Sequence, residues 1–464
     1  MQLPDSFKDS MKELLGAEYE SFIGSYDDTG VSSIRVNTSK VSLDEFERTA
    51  PFPISKIPFA PNGYYINDTD AWSKHPYYYA GLYYIQEASA MLPAATLPIG
   101  PGDRVLDLCA APGGKSTQLC LSDAAILISN DISRSRTIPL VANLERFGRN
   151  NWCVTCESPE KLSACYPETF DKILVDAPCS GEGMFRKDKK LIASYIEKGP
   201  AHYSTIQSEI LENAYKMLSP GGMILYSTCT FSDIEDEKII LAFLDGHPDM
   251  SICDIEKDHG LCGPYEKYRD EERIRGCVHA LPHRFKGEGH FMAMMKKVGS
   301  KKTVEKTQPD TDTFDRISRT AGELIRFLSD RILGDMKNRR FLFGSDGYIY
   351  MLPDGFGRLF DRSIRYSRTG TCIGSVSARG KFIPHTAFAM TLEPEDFKNT
   401  LCLHADDALV LKYLKGETIV LDNRINCGIE KGIVLICVDG YPLGFAANDG
   451  GRLKNLYEKG WIYR

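Results

Sequence analysis

No stretch of this 464-residue chain approaches the roughly 18 uncharged apolar residues that a membrane span needs. Its opening, MQLPDSFKDS, lacks the basic-then-apolar layout of an export signal, so a cytoplasmic protein without a membrane partner is expected. A disulfide framework is missing too: fourteen cysteines are scattered over a long chain and read as reduced thiols. Nor is there a basic excess. A net charge of −7, from 56 Lys and Arg against 63 Asp and Glu, excludes a chain coated for non-specific nucleic-acid binding. Any phosphate-facing surface is therefore local, and residues 300–375, with 14 basic against 10 acidic side chains, are its expected home. Two nucleotide signatures are absent. There is no GxGxxG, which argues against a nicotinamide cofactor, and GGKST lacks the phosphate-loop glycine because position 109 is Cys109. Metal spacing is lacking as well. Cys153 and Cys156 in CVTC have no second pair, and His279, His283 and His290 read as structural or surface residues, so no metal is expected.

What is present points to several domains, since this length exceeds what one core supports and the composition, 42% apolar and 26% charged, is ordinary for a globular protein. Residues 1–92 read as a small α/β unit. Helical spacing at Phe7, Met11, Leu14 and Leu15 is followed by the strand-like GVSSIRVNTSK and then SLDE, a capping box with Ser42 as N-cap and Glu45 three residues on. The tyrosine-rich HPYYYAGLYYIQEASAMLP reads chiefly as packing, with base stacking as the alternative. Over residues 93–299 the apolar runs DRVLDL, AAILISND, NWCVTC, DKILVDAP and GMILYSTC alternate with helical stretches, which predicts a doubly wound, Rossmann-like α/β sheet. The clearest helix, IQSEILENAYKML, presents Ile206, Ile210, Leu211, Ala214, Met217 and Leu218 on one face, and GHFMAMMKKV suits an antiparallel edge strand. Residues 300–375 read as the polar linker VGSKKTVEKTQPDTDTF, a helix and a hairpin turning at Gly344–Gly347, and strands and turns dominate 376–464.

Three strand ends carry the chemistry. VLDLCAAPGGKST is a strand, an acid, a Pro-Gly-Gly turn and a helix start, a junction at which glycines let a ligand approach the backbone. NDIS then places Asp131 where dinucleotide folds accept ribose hydroxyls, so a nucleoside-containing cofactor is expected. Cys179 in DAPCSGEGMF and Cys229 in YSTCTF end the fourth and fifth strands, which are neighbours in the usual doubly wound order and lie about 4.8 Å apart. Two thiols converging on one crevice suggest covalent chemistry, for which cysteine is the strongest nucleophile available.

Together these residues resemble the RNA (cytosine-5) methyltransferases of the Sun and RsmF type, through DLCAAPGGKS, DAPCSGEG, YSTCTF with its following EDE, and upstream GLYYIQEASAM and IRVN. IPHTAFAM and PLGFAANDGGRLKN look like the PUA-like RNA-binding domain of the RsmF subgroup, which acts on small-subunit ribosomal RNA. The resemblance implies S-adenosyl-L-methionine bound by Cys109, Ala110, Ala111, Pro112, Gly113, Gly114, Lys115, Asp131, Arg136 and Asp176. Ser158, beside Glu157, stands where the family usually has the acid that holds the adenine amine. It further implies Cys229 as nucleophile and Cys179 as the residue assisting release. Asp176 would hydrogen-bond the ring, on condition that it shares or holds a proton. The expected protein is a monomeric enzyme acting on ribosomal RNA or the small subunit. A non-catalytic RNA-binding assembly factor is the alternative, and a thiol hydrolase ranks last for want of a His or Asn signature near either cysteine.

Overall fold

The computed structural model describes residues 2–67, 70–300, 319–333, 336, 339–421 and 428–463. The first unit opens with the helix Asp5–Leu15, which buries Phe7, Met11 and Leu14 as their spacing predicts. Strands β1 (Ser32–Val36), β2 (Ile54–Lys56), β3 (Gly63–Ile66) and β4 (Tyr83–Ile85) form an antiparallel sheet in the order β2-β3-β1-β4. The helix Leu43–Thr49 starts on Ser42, whose hydroxyl accepts the Glu45 amide at 3.3 Å. Only this half of the expected capping box forms, because the Glu45 carboxylate accepts the Tyr441 hydroxyl of the C-terminal unit at 3.0 Å. The tyrosine-rich segment packs: Tyr77, Tyr79 and Tyr83 share one apolar cluster with Leu401, Val410, Tyr413 and Trp461, so both ends of the chain meet over a common core.

In the middle unit β5 (Arg104–Asp107), β6 (Ile126–Asn130), β7 (Trp152–Thr155), β8 (Phe170–Asp176) and β9 (Leu218–Thr228) are parallel, in the expected order β7-β6-β5-β8-β9. The carboxyl ends of β5, β8 and β9 therefore open on one crevice. The helix Lys189–Met217 buries Ile210, Leu211, Ala214 and Met217 and is broken by a kink at Gly199, φ 68°, immediately before Pro200. The sheet continues through β10 (Met250–Cys253), β11 (Leu261–Cys262), β12 (Val278–Ala280) and β13 (His290–Lys297). β13 runs antiparallel to β9, as its pattern predicts, but it is not an edge. Its eight residues are long enough for the short β12 and β10 to pair end to end along its other side.

Beyond it, residues 301–318, which hold most of the expected linker and the start of the expected helix, lie outside the described residues. The helix Arg319–Arg331 follows, and β14 (Phe341–Phe343) and β15 (Tyr348–Met351) form the hairpin around Gly344–Gly347. β16 (Tyr366–Arg368) leaves that unit and pairs with β7 at the far edge of the central sheet. β17 (Thr371–Val376) and β18 (Phe382–Pro384) complete the order β14-β15-β17-β18, so this sheet runs across position 375. The last sheet contains β19 (Thr400–Leu403), β20 (Ile419–Val420), β21 (Gly432–Val438), β22 (Tyr441–Asn448) and β23 (Arg452–Asn455), ordered β19-β21-β22-β23-β20. Among the described residues no helix is long and apolar enough to cross a membrane.

Candidate active site

At the end of β5, Asp107 is buried, and burial lifts its carboxyl to about 7 against the opposing Ser116 hydroxyl, which donates to Oδ2 at 2.6 Å. The turn Cys109–Lys115 follows. Gly113 has φ +112°, a conformation side chains rarely adopt, and an added Cβ would stand 3.1 Å from Leu140. Ala110 and Ala111 are buried, Pro112 is exposed and Gly114 half-buried, and burial pushes the Cys109 thiol well above its ordinary range. At the end of β6, buried Asp131 accepts the Ser133 amide at 2.9 Å and faces Arg136 Nη1 at 3.3 Å. Arg136 Nη2 in turn donates to the Ala111 carbonyl at 2.8 Å, which ties the two turns together.

Ser158 is otherwise engaged. Its hydroxyl accepts the Lys161 amide at 3.2 Å and caps the helix Pro159–Cys165. The acid at this strand end is the neighbouring Glu157, buried, whose Oε1 accepts the Arg365 amide at 2.9 Å. Three carboxylates at adjacent strand ends, Asp107, Asp131 and Asp176, with Lys115 among them, suit a ligand carrying two cations and one carboxylate. That is the charge pattern of S-adenosyl-L-methionine, and the residues fit it.

The two cysteines meet. Cys179 Sγ and Cys229 Sγ lie 3.3 Å apart, on loops that leave β8 and β9 side by side. Each loop holds the other through a carboxylate: Glu182 Oε2 accepts the Phe231 amide at 2.8 Å, and Glu235 Oε2 accepts the Ser180 amide at 2.9 Å and Gln207 Nε2 at 2.8 Å. The Ser180 and Thr230 hydroxyls join at 2.7 Å, and the Gly183 amide donates to the Cys229 carbonyl at 3.0 Å. Burial lifts Glu182 to about 8, with Glu235 adding to the rise and the Phe231 amide opposing it; Glu235 is raised as well, chiefly by its own burial. The Cys179 thiol is pushed far above the ordinary range by its hydrogen bond to Cys229 and by its burial, and either sulfur can donate that bond.

Asp176 receives Lys115 Nζ on Oδ2 at 2.7 Å and the Ser227 hydroxyl on Oδ1 at 2.9 Å. Burial alone pushes this carboxyl up, but Lys115 and His290 pull it further down, and the net result lies well below the usual range. Asp176 is thus a carboxylate with no proton of its own. His290, expected to be structural or at the surface, stands in this site, its Nε2 3.4 Å from Asp176 Oδ1. The only sequence signal for it was the register of an antiparallel pair that single-chain patterns do not fix. His279 and His283 bond Glu237 and Glu18 at 2.8 Å each.

Residues 94–296 match the family model described as 16S rRNA methyltransferase RsmB/F, residues 3–88 the N-terminal domain of 16S rRNA methyltransferase RsmF, and residues 400–463 the methyltransferase RsmF PUA domain. The ribosomal RNA small subunit methyltransferase F of Erwinia tasmaniensis is 30% identical over 472 residues, 98% of this chain and 96% of that protein. The chain belongs to the ribosomal RNA small subunit methyltransferase F family. The member from Escherichia fergusonii is 30% identical over 473 residues, with 98% and 96% covered. Among solved structures, a methyltransferase homolog protein from Pyrococcus horikoshii is 26% identical with a TM-score of 0.54, over 64% of this chain and 95% of that one. NSun6 from the same organism, solved with SFG, shares the fold at 20% identity and a TM-score of 0.54, over 64% and 99% of the two chains. The segment that matches the RsmF N-terminal domain reaches the turn Cys109–Lys115 and the helix after it directly. Buried Arg35, in the IRVN segment, donates to Gln86 Oε1 at 2.9 Å, to the Gly114 carbonyl at 3.0 Å and to Thr117 Oγ1 at 2.7 Å.

Proposed function

We propose that this RsmF-family methyltransferase transfers a methyl group from S-adenosyl-L-methionine to carbon 5 of a cytosine in small-subunit ribosomal RNA, through a transient bond between Cys229 and carbon 6. The observation that carries the reading is the 3.3 Å contact of two thiols beside the Lys115–Asp176 pair. Carbon 5 is too weak a nucleophile to be methylated directly. Addition of the Cys229 sulfur at carbon 6 makes it enamine-like, with the Cys179 thiol 3.3 Å from the attacking sulfur. S-adenosyl-L-methionine supplies an electrophilic sulfonium methyl when bound. Asp107, Asp131, Arg136 and the turn Cys109–Lys115 would hold it, and Asp176 would face its methionine end and the base.

Release reverses the addition. The carbon 5–hydrogen pair re-forms the ring double bond while the carbon 6–sulfur pair returns to Cys229. Cys179 gives its proton to that departing sulfur and takes the one leaving carbon 5, so it finishes as a thiol. Residues 1–92, 300–375 and 376–464 grip RNA around the catalytic unit 93–299 and offset the few kcal/mol needed to unstack the target base. The enzyme works as a monomer in the cytoplasm.

The test is a gel. Cys179→Ser can add to the base but releases it poorly, so a protein–RNA adduct resistant to denaturant should accumulate; Cys229→Ala should give neither adduct nor tritiated methyl incorporation into ribosomal RNA. Turnover surviving in Cys229→Ala overturns the reading.

A further inference from the structure

The geometry points to His290 as the source of the proton that the target cytosine needs, delivered through Asp176; the inference rests on the carbon 5 reading above. Attack of sulfur at carbon 6 pushes negative charge onto the ring, where N3 must take up a proton. Asp176 has none to give, because Lys115 on its other oxygen holds it ionised.

His290 is built to supply it. In the β9–β13 ladder Phe291 lies opposite Thr228, so His290 comes opposite Cys229, one step past the last pair. Its ring is shut away from solvent, with 3% of the residue exposed. Nδ1 lies 3.2 Å from the Gly289 carbonyl, while Nε2 has no hydrogen-bond partner among the described residues and stands 3.4 Å from Asp176 Oδ1. His279, equally buried, likewise bonds through one nitrogen, to Glu237 at 2.8 Å, and leaves the other without a partner among the described residues; what sets His290 apart is the Asp176 oxygen 3.4 Å from its unpartnered nitrogen. The turn before His290 is also fixed. Gly289 has φ +113° and an added Cβ would stand 2.3 Å from the Phe231 ring. Its amide meets Ser89 Oγ at 3.2 Å, and the preceding Glu288 amide donates to Glu87 Oε1 at 2.8 Å.

The charged and titratable groups around the pair are Asp107 on β5, Lys115, the thiols of Cys179 and Cys229, Glu87, and Glu288, which faces Arg186 at 2.7 Å. In the step, the Nε2–H bond of protonated His290 breaks, its electron pair stays on nitrogen, and an N3–H bond forms using the ring's pair, relayed by an Asp176 oxygen. After methyl transfer the same proton returns. His290 is therefore a positioning residue that acts through Asp176.

The experiment is single-turnover methylation of ribosomal RNA across pH by His290→Ala and His290→Phe, with and without added imidazole, alongside S-adenosyl-L-methionine binding. His290→Ala should bind the cofactor as the parent does but lose about a hundredfold or more in rate. Added imidazole should restore part of the rate. His290→Phe, whose ring fills the same space, should stay inactive with imidazole. A His290→Ala rate within threefold of the parent, or no rescue by imidazole, overturns the proposal. Adduct trapping separates the two readings. If Cys179→Ser alone traps no RNA, the carbon 5 reading falls; if it traps RNA and the Cys179→Ser, His290→Ala double variant traps it equally fast, only the role of His290 falls.

Discussion

Replacing Glu182 with glutamine removes a titration while keeping the shape of the brace between the cysteine loops. Glu182 titrates at about 8 in the folded chain against an ordinary 4.5, because burial and Glu235 disfavour its charge. The folded protein thus holds a proton that the unfolded chain releases between those values. The stability this provides is complete below pH 4.5 and is lost as pH rises through 8. The slope is about 1.4 kcal/mol per pH unit, or about 5 kcal/mol over the window. Glutamine has nothing to ionise, and its carbonyl oxygen can still accept the Phe231 amide that Glu182 receives at 2.8 Å. Urea denaturation of both proteins from pH 5 to 9, followed by the fluorescence of Trp152 on β7, reads the effect. Glu182→Gln should be within about 1 kcal/mol of the parent at pH 5 and more stable by a few kcal/mol at pH 8. Two curves that stay parallel across the range would refute the reasoning, since they would mean that Glu182 is no more protonated in the fold than outside it.

Ser158→Ala should lower stability by about 1 kcal/mol, the usual worth of an N-cap, and leave S-adenosyl-L-methionine affinity within twofold. A tenfold loss of affinity without loss of stability, measured by calorimetry and thermal melting, would instead give Ser158 to the cofactor. Gly183→Ala would bring a Cβ to 2.9 Å from the Glu288 carbonyl and 3.1 Å from the Cys229 carbonyl, wedging the cysteine loops apart. Its single-turnover rate should fall about a hundredfold, as expected for a misplacement near 1 Å, and a rate within threefold of the parent would contradict the brace. Lys115→Met removes the cation that holds Asp176 down, so the upward push of burial wins and the acid limb of the rate profile should move to higher pH. An unmoved acid limb would show that Asp176 does not need Lys115 to stay ionised.

Most of the catalytic sheet was legible because parallel strands buried on both faces leave short apolar runs, and their alternation with helices fixes the order β7-β6-β5-β8-β9. That order alone brings Cys179 and Cys229 together, since each ends an apolar run on neighbouring strands. What stayed hidden depends on contacts between distant segments. His290 looked like one of three scattered histidines until the β9–β13 register set it opposite Cys229. Glu182 and Glu235 lie in DAPCSGEG and in the EDE after YSTCTF without a pattern that marks them, yet each holds an amide of the other cysteine loop, 49 and 55 residues away. β13 reads as an edge strand because nothing in its own pattern reports that β10 and β12 would pair beside it. Ser158 and Glu157 are adjacent, and only the position of Arg365, more than 200 residues on, shows which of them carries the buried charge.

The brace explains how a thiolate can be placed over acidic residues. Glu182 and Glu235 are the groups that lock the loops, and two ionised carboxylates there would repel the charge that Cys229 carries in the proposed attack on carbon 6. Neutral side chains such as serine would avoid the repulsion, but a hydroxyl is too short to span from one loop to the backbone of the next. A carboxyl group kept protonated by burial meets both needs, because its second oxygen still accepts an amide hydrogen while the group contributes no charge. With Glu182 titrating at about 8, its arm of the brace is uncharged at neutral pH and becomes charged only above that value, and burial raises Glu235 in the same direction. The same burial that weakens the fold toward alkaline pH therefore keeps Glu182 from adding negative charge beside Cys229 at neutral pH.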